Sequence, residues 1–184
     1  FVAGSQRVTV AESTWRVEEK MLARYVAEHE DGRLILVPHE IHEQHMHKVF
    51  QYFEGRYVRY TEATLLNVNK CRVLVVDTIG LLSSIYRYGQ VAYIGGGFGV
   101  GIHNTLEAAV YGVPVVFGPN WQKFREARGL LEAGAGISVK NYRELAAALD
   151  KAFEQQIDMG QHASEYVGSE CGATEKIYNE LFKK

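Results

Sequence analysis

The sequence has few cysteines, few prolines and no excess of charge of either sign. Its two cysteines, Cys71 and Cys171, lie far apart and match neither a zinc-binding nor a redox spacing, which is typical of free thiols in a reducing compartment. The formal net charge is only -2, and this argues against a nucleic-acid surface because such a surface needs a basic stripe. No apolar run approaches the ~20 residues of a membrane helix. We therefore expect a cytoplasmic protein that binds no nucleic acid.

The alternation of short apolar runs with longer amphipathic stretches predicts the fold class. The 184 residues suit one compact domain, and such alternation is typical of a parallel sheet covered by helices on both faces. We predict an α/β, Rossmann-like domain of about six strands. The predicted strands are 1–3, 34–37, 57–60, 73–76, 91–94 and 114–117, with a further candidate at 136–139. The predicted helices are 18–29, 41–53, 81–88, 104–111, 124–133, 142–153 and 174–182.

A cluster of glycines follows the predicted strand 91–94. Gly95, Gly96 and Gly97 begin a run of five glycines within seven residues, and a helix is predicted to begin near Asn104. Glycines let the backbone approach a ligand closely, and the free amides at a helix start favour phosphate. The spacing matches neither the dinucleotide fingerprint nor the Walker loop. We predict a phosphate site of another kind, with a ligand-free turn as the alternative, and we expect valine at Gly96 or Gly97 to abolish donor use without unfolding the protein.

Glu107 is the candidate for binding a ribose. It follows Asn104 by three residues, so the two side chains should share a helix face. A carboxylate there can accept hydrogen bonds from both hydroxyls of a ribose, and the alternative is a solvated helix acid. The neighbours Leu106, Ala108 and Ala109 are apolar, which favours the first interpretation because a buried acid needs a partner.

Two further segments carry polar residues after predicted strands. The loop 77–82 could present backbone groups to a base edge, with Gly80 allowing close approach, or its first residues could cap the next helix. The histidine-rich stretch 38–47 places His42 and His45 three residues apart, but the zinc pattern H-E-x-x-H is not met. A substrate-binding loop is favoured there over a metal site or a solvated helix start.

Together these motifs resemble the donor site of the 3-deoxy-D-manno-octulosonic acid (Kdo) transferases of lipopolysaccharide synthesis. The stretch 38–43 resembles the Bacteroides-type branch of that family. The segments that carry the resemblance are 4–5, 77–82, 95–97, 103–104, 107–109, 112–115, 118–119 and 172–174.

The resemblance implies the C-terminal half of a two-domain GT-B glycosyltransferase. The chain begins within a predicted strand, at Phe1, so we expect it to be a fragment preceded by another domain. Residues 1–184 would then form the CMP-Kdo-binding domain. The upstream domain would bind the lipid A precursor, contact the inner membrane and carry the acidic catalytic base. Transfer would be inverting and independent of metal or cofactor, and the isolated chain would be inactive.

The resemblance also assigns roles to residues of this chain. Asn104 and Glu107 would hold the phosphate and ribose of CMP, and backbone at Ile79 and Gly80 would recognise the cytosine. Gly4 and Ser5 would face the phosphate and the sugar. The other donor-binding candidates are His39, Glu40, His103 and the three glycines from Gly95 to Gly97.

One departure from the family pattern leaves the phosphate-facing turn open. The stretch 6–12 is interpreted as an insertion, so either Ser5 or the pair Ser13 and Thr14 could occupy that turn. The alternatives for the whole chain are the donor domain of a UDP-sugar GT-B transferase or epimerase, and a non-catalytic nucleotide-binding module.

Overall fold

Seven strands form one parallel sheet in the computed structural model, which describes residues 1–5 and 7–182. In chain order the strands are β1 (Val8–Thr14), β2 (Arg33–Pro38), β3 (Tyr57–Arg59), β4 (Val73–Val75), β5 (Val91–Ile94), β6 (Val115–Phe117) and β7 (Gly136–Ser138). Their order across the sheet is β3-β4-β2-β1-β5-β6-β7, and each neighbouring pair is parallel. The strand β1 therefore lies at the centre, between β2 and β5.

Helices cover both faces of this sheet. In the described residues they are α1 (Arg16–Glu28), α2 (Glu43–Tyr52), α3 (Leu82–Ile85), α4 (Leu106–Ala109), α5 (Arg125–Glu132), α6 (Tyr142–Glu154), α7 (Gln156–Glu170) and α8 (Ala173–Phe182). One face packs against α1, α2 and α6, where Leu22 and Leu149 are buried. The other packs against α3, α4, α5 and α7, where Leu130 and Ala163 are buried. Across the described ranges, no helix combines the length and apolar character needed to cross a membrane.

The predicted α/β class with a Rossmann-like parallel sheet is confirmed, but the predicted first strand at 1–3 is wrong. That segment packs against one core layer without joining the sheet, and the first strand is β1. The stretch interpreted as an insertion is therefore largely the central strand, although Gln6 lies outside the described residues. The polar residues Thr9 and Glu12 explain why β1 is not predicted from the sequence, because a buried parallel strand is expected to be almost wholly apolar. Both side chains are nevertheless buried.

Two helix predictions also need correction. The helix predicted over 104–111 is only the single turn α4, which begins at Leu106 and is followed by Gly112 with a positive φ of 65°. The long helix α7 was not predicted, because it contains two glycines and carries few apolar residues. Gly160 explains part of this composition: a Cβ there would lie 2.3 Å from the carbonyl oxygen of Gly112. The glycine therefore allows α7 to pack closely against the segment after α4.

The carboxyl ends of β1, β5 and β6 approach one another at backbone distance. A Cβ built at Gly95 would lie 2.1 Å from the carbonyl oxygen of Ser13, and one at Gly97 would lie 2.6 Å from Cα of Gly118. A Cβ at Gly96, where φ is 87°, would lie 2.3 Å from the carbonyl oxygen of Gly101. The expectation that valine at Gly96 or Gly97 leaves the fold intact is therefore wrong, since in each case the clash is with backbone.

We expect Gly97→Ala to lower the free energy of unfolding by about 1–3 kcal/mol, because the added methyl group must push two backbone segments apart. Gly99→Ala is the matched control, since the nearest atom to a Cβ there is 3.6 Å away. Its free energy of unfolding should stay within about 0.5 kcal/mol of the wild-type value. Urea unfolding measures both variants, and equal stabilities would contradict this description of the packing.

Candidate functional site

Residues that follow or end three neighbouring strands meet at the carboxyl edge of the sheet, which is where open parallel sheets bind ligands. Ser13 lies at the end of β1, His39 follows β2, and Gly95 follows β5. The rings of His39 and His103 have centroids 4.6 Å apart, so the loop after β5 meets the loop after β2. We call residues 95–101 the glycine loop. Open clefts lie on both sides of it, one lined by His103 and Asn104 and the other by residues of α1 and α2.

The buried carboxylate of Glu18 binds the glycine loop through hydrogen bonds. Glu18 is fully buried and accepts hydrogen bonds from the amides of Trp15 at 2.9 Å and Gly96 at 3.1 Å, and from the Tyr93 hydroxyl at 3.3 Å. Burial raises the pKa of this carboxyl, while the backbone donors, which include the Phe98 amide, oppose that rise. The acid therefore ties the start of α1 to the loop after β5.

The amides of the glycine loop are mostly engaged within the protein. Gly99 and Gly101 donate to the carbonyl of Gly96, whose own amide donates to Glu18. His103 donates its amide to the carbonyl of Gly95. The predicted phosphate site therefore cannot depend on these amides as they stand, and the loop is better described as a rigid platform beside the site.

Glu19 is the second buried acid, and it pairs with His45 of α2. Its Oε1 lies 2.8 Å from Nε2 of His45 and 3.5 Å from the Thr14 hydroxyl, and both side chains of the pair are at most 2% exposed. Burial raises the pKa of Glu19 to about 8, and burial lowers the pKa of His45. We therefore assign the shared proton to the carboxyl, which gives a neutral pair at neutral pH.

Glu12 is the third buried acid, at the end of the central strand. The residue is 2% exposed, and its carboxyl is hydrogen-bonded to the Ser13 hydroxyl. Burial raises its pKa to about 7 against the lowering effect of the Ser13 hydroxyl, and the negative charge of Glu107 adds to the rise. Ser13 itself has a φ of 50°, the one positive value at a non-glycine residue in the described ranges.

The Asn104–Glu107 pair predicted from spacing is present. The amide nitrogen Nδ2 of Asn104 donates to Glu107 Oε1 at 3.1 Å, and the Asn104 side-chain oxygen accepts from the Leu106 amide at 3.0 Å. Asn104 is exposed and Glu107 is half-buried. The two side chains are therefore in contact as predicted, but Asn104 precedes α4 and they do not share a helix face. The helix α4 is also too short to offer the terminus that was expected to attract phosphate.

The histidine-rich stretch divides into a stacked ring at the site and a helix start. His39 stacks on Trp15, with ring centroids 4.5 Å apart, and also contacts His103. Burial, with the nearby His39, lowers the pKa of His103. His42 caps α2 by accepting the His45 amide and pairs with Glu40 at 2.9 Å. Among residues 1–5 and 7–182, no three histidine, cysteine, aspartate or glutamate side chains are grouped so as to hold a metal ion.

Asp77 stabilises a neighbouring loop and does not cap α3. It accepts hydrogen bonds from the Thr61 amide and hydroxyl and from Arg59. Burial alone would raise the pKa of Asp77, but these bonds lower it. The capping alternative for Asp77 is therefore wrong. Ile79 and Gly80, which follow it, are exposed, and Gly80 has a φ of 94°.

Gly4 and Ser5 lie away from the carboxyl edge. They line a cleft with Gly32 and Arg33, which stand at the amino end of β2. The prediction that they follow the first strand is wrong, because that strand is β1. Ser13 and Thr14 stand at its end instead, and the Thr14 side chain is fully buried against Glu19. Ser13 is thus the hydroxyl available at the turn.

Comparison with known proteins relates this chain to glycosyltransferases. No protein-family model matches it. A 3-deoxy-D-manno-octulosonic acid transferase from Aquifex aeolicus is 36% identical over 100 residues, which are 52% of this chain and 28% of that protein. A transferase of the same name from Rickettsia prowazekii is 28% identical over 155 residues, 79% of this chain and 32% of that protein. The chain therefore spans about a third or less of the length of these relatives.

A solved structure supports the same relation at the level of the fold. The C-terminal CMP-Kdo binding domain of WaaA from Acinetobacter baumannii superposes with a TM-score of 0.74 at 22% identity, covering 89% of this chain and 90% of that domain. The resemblance to the Kdo transferases and the fold of a GT-B C-terminal domain are thereby confirmed. The Bacteroides-type branch stays a prediction.

We expect the wild-type protein to lose stability relative to Glu19→Gln as the pH rises. The folded protein keeps a proton on Glu19 up to a pKa of about 8, whereas the unfolded chain releases it around the ordinary glutamate pKa of 4.5. Between these values the wild-type free energy of unfolding should fall with pH, by up to about 1.4 kcal/mol per pH unit from this group. Glutamine carries no such proton and removes this slope.

Urea unfolding of both proteins at about pH 6 and about pH 8 measures the effect. Glu12 is present in both proteins, so its contribution cancels in the difference. A stability difference that stays constant with pH would show that Glu19 is ionised in the folded protein at both values.

Proposed function

We propose that this chain is the donor-binding domain of a glycosyltransferase that moves Kdo from CMP-Kdo to a lipid A precursor. Support comes from relatives that bear the name of Kdo transferases and from a fold shared with a CMP-Kdo binding domain. In this proposal residues 1–184 are the C-terminal domain. An upstream domain supplies the acceptor site, the acidic catalytic base and contact with the inner membrane. Transfer is inverting and uses neither metal nor cofactor.

The Asn104–Glu107 pair is the observation that carries the proposal. Within the described ranges, one oxygen of Glu107 accepts a hydrogen bond from Asn104, and Oε2 accepts none. A carboxylate oxygen left open at the carboxyl edge suits the adjacent hydroxyls of a ribose, because an ionised acid is purely an acceptor. The amide of Asn104 keeps a second N–H, which can donate to the donor phosphate.

Neutral hydrogen-bond donors bind the phosphate in this proposal. The Ser13 hydroxyl, the His103 ring and the second N–H of Asn104 stand around the glycine loop, which supplies a rigid platform and not a set of free amides. As the bond to the sugar breaks, charge develops on the phosphate of the departing CMP, and such fixed donors stabilise it. His39 and Glu40 complete the sugar side, and backbone near Ile79 and Gly80 recognises the cytosine.

We expect Glu107→Gln to weaken CMP binding by about 1–3 kcal/mol, the value of a hydrogen bond to a charged group. Calorimetry with CMP and with 2′,3′-dideoxy-CMP tests the reason, because the dideoxy nucleotide lacks the hydroxyls that Glu107 binds. The substitution should hardly change the affinity for the dideoxy nucleotide. Glu132→Gln, an exposed acid on α5 away from the site, is the matched control and should change neither affinity.

Equal losses for the two nucleotides would show that Glu107 acts elsewhere. The same protein tests the nucleotide itself, since a ligand that binds only the folded state raises the melting temperature. CMP should raise it more than UMP, UDP or NAD. A larger shift with UDP would favour a UDP-sugar enzyme, and no shift with any nucleotide would contradict the proposal.

We expect the isolated chain to transfer no measurable Kdo. The proposed general base lies upstream, and loss of a general base costs about 10²–10⁴-fold in rate. Loss of acceptor positioning removes a further advantage of about 7–11 kcal/mol. Mass spectrometry after incubation with CMP-Kdo and a lipid A precursor measures the product. Transfer close to the rate of a full-length Kdo transferase would place the base within these 184 residues, with His39, Glu40 and His42 as the first candidates.

A further inference from the structure

Glu12 is the buried acid that has no role in the donor site as described so far. It stands at the carboxyl end of β1, one residue before Ser13, and its carboxyl touches the Ser13 hydroxyl. We propose that Glu12 is a positioning residue, an inference that rests on the donor site proposed above. As a neutral acid, Glu12 donates a hydrogen bond to Ser13 Oγ. The Ser13 hydroxyl hydrogen is then free to bind the donor phosphate.

The hydrogen count at Ser13 is the reason for this inference. An ionised carboxylate only accepts hydrogen bonds, and a serine hydroxyl has a single hydrogen to donate. If Glu12 is ionised, Ser13 donates that hydrogen to Glu12 and turns only lone pairs towards a ligand. If Glu12 is protonated, its O–H donates to Ser13 Oγ, and the Ser13 hydrogen can donate to an anion. The protonation of Glu12 therefore sets whether Ser13 attracts or repels a phosphate.

The surroundings of Glu12 favour the neutral acid. The titratable groups that face it are Tyr86 from the 3-10 turn after α3, Glu107 from α4 and Glu18 from α1. None of these three groups is a cation. The hydroxyls of Ser13 and of the buried Tyr86 lower the pKa of Glu12, but burial raises it by more. An ionised Glu12 would thus have no positive partner among the groups that face it.

Both protonation states are accessible near neutral pH. Burial raises the pKa of Glu12 to about 7. Below this value the carboxyl is neutral and Ser13 is free to donate, so phosphate binding is strong. Above it the carboxyl is ionised, Ser13 is reversed, and the new charge also repels the phosphate, so binding weakens as the pH rises. A bound anion raises the pKa of Glu12 further, which is the reciprocal of the same linkage.

The test uses cytidine 5′-(methyl phosphate), a diester that keeps one negative charge throughout and resembles the diester of a CMP-linked sugar. Its dissociation constant is measured by calorimetry from about pH 6 to about pH 8.5 for the wild type, Glu12→Gln and Ser13→Ala. We expect wild-type binding to weaken about tenfold over this range, the equivalent of one hydrogen bond to a charged group. Glu12→Gln should bind as tightly at the upper pH as at the lower, because its amide N–H donates to Ser13 at every pH.

Ser13→Ala separates hydroxyl orientation from simple charge repulsion. It should bind weakly at both ends of the range and lose most of the pH dependence. A pH dependence in Glu12→Gln equal to that of the wild type would overturn the role of Glu12. Full wild-type pH dependence in Ser13→Ala would overturn the role of Ser13, since repulsion alone would then account for it. Thermal melting of each variant across the range confirms that the proteins compared are folded.

Cytidine, which has no phosphate, distinguishes this inference from the proposed function. Its affinity for the wild type should hardly change with pH, because Ser13 has no phosphate to meet. An equal pH dependence for cytidine would overturn the Ser13–phosphate contact. If the folded wild type binds neither compound at any pH, the donor site itself is wrong. If both bind and the diester shows no pH dependence, the donor site stands and the inference about Glu12 fails.

Discussion

The buried carboxylate of Glu18 is the interaction on which the carboxyl edge depends. A carboxylate with no access to water is costly unless hydrogen bonds replace its hydration, and Glu18 obtains them from the amides of Trp15 and Gly96. Trp15 immediately precedes α1 and Gly96 lies in the loop after β5, so this acid of α1 joins two segments that are far apart in sequence. The glycine loop therefore takes its shape from α1, and the open clefts beside it follow from that shape.

Three acids are buried at an edge that is proposed to bind an anion, which three negative charges would repel. Their different hydrogen-bond partners explain how both can be present. Glu18 has backbone donors, whereas Glu19 and Glu12 meet a histidine and a serine. Burial raises the pKa of the latter two to about 8 and about 7. Protonation of Glu19, with partial protonation of Glu12, thus removes part of the negative charge that the sequence places here at neutral pH. The protonated carboxyls of Glu19 and Glu12 can still form hydrogen bonds, without the negative charge that would repel the proposed anionic ligand.

The sequence predicted the features that are local and missed those that join distant segments. The Asn104–Glu107 pair and the glycine loop follow from spacing within a few residues, and both are present. The contact of Glu18 with Gly96 joins residues 78 positions apart, and no pattern along the chain announces it. β1 was missed for a related reason: Glu12 and Thr9 interrupt its apolar run, and their burial makes sense only once β2, β5 and the helices around them are in place. An acid inside an otherwise apolar stretch after a turn is the signal that would have found it.

The backbone conformation of Ser13 affects which substitutions are favourable at this position. Its φ of 50° lies in the left-handed region, which residues other than glycine and asparagine adopt at a conformational cost. That cost is about 1–2 kcal/mol. Glycine at this position would relieve that strain, so selection for thermal robustness alone would drift towards it and discard the hydroxyl. In the proposed donor site, the contact of the Ser13 hydroxyl with the donor phosphate is what serine offers there and glycine does not. Under that proposal, stability and ligand recognition favour different residues at this one position.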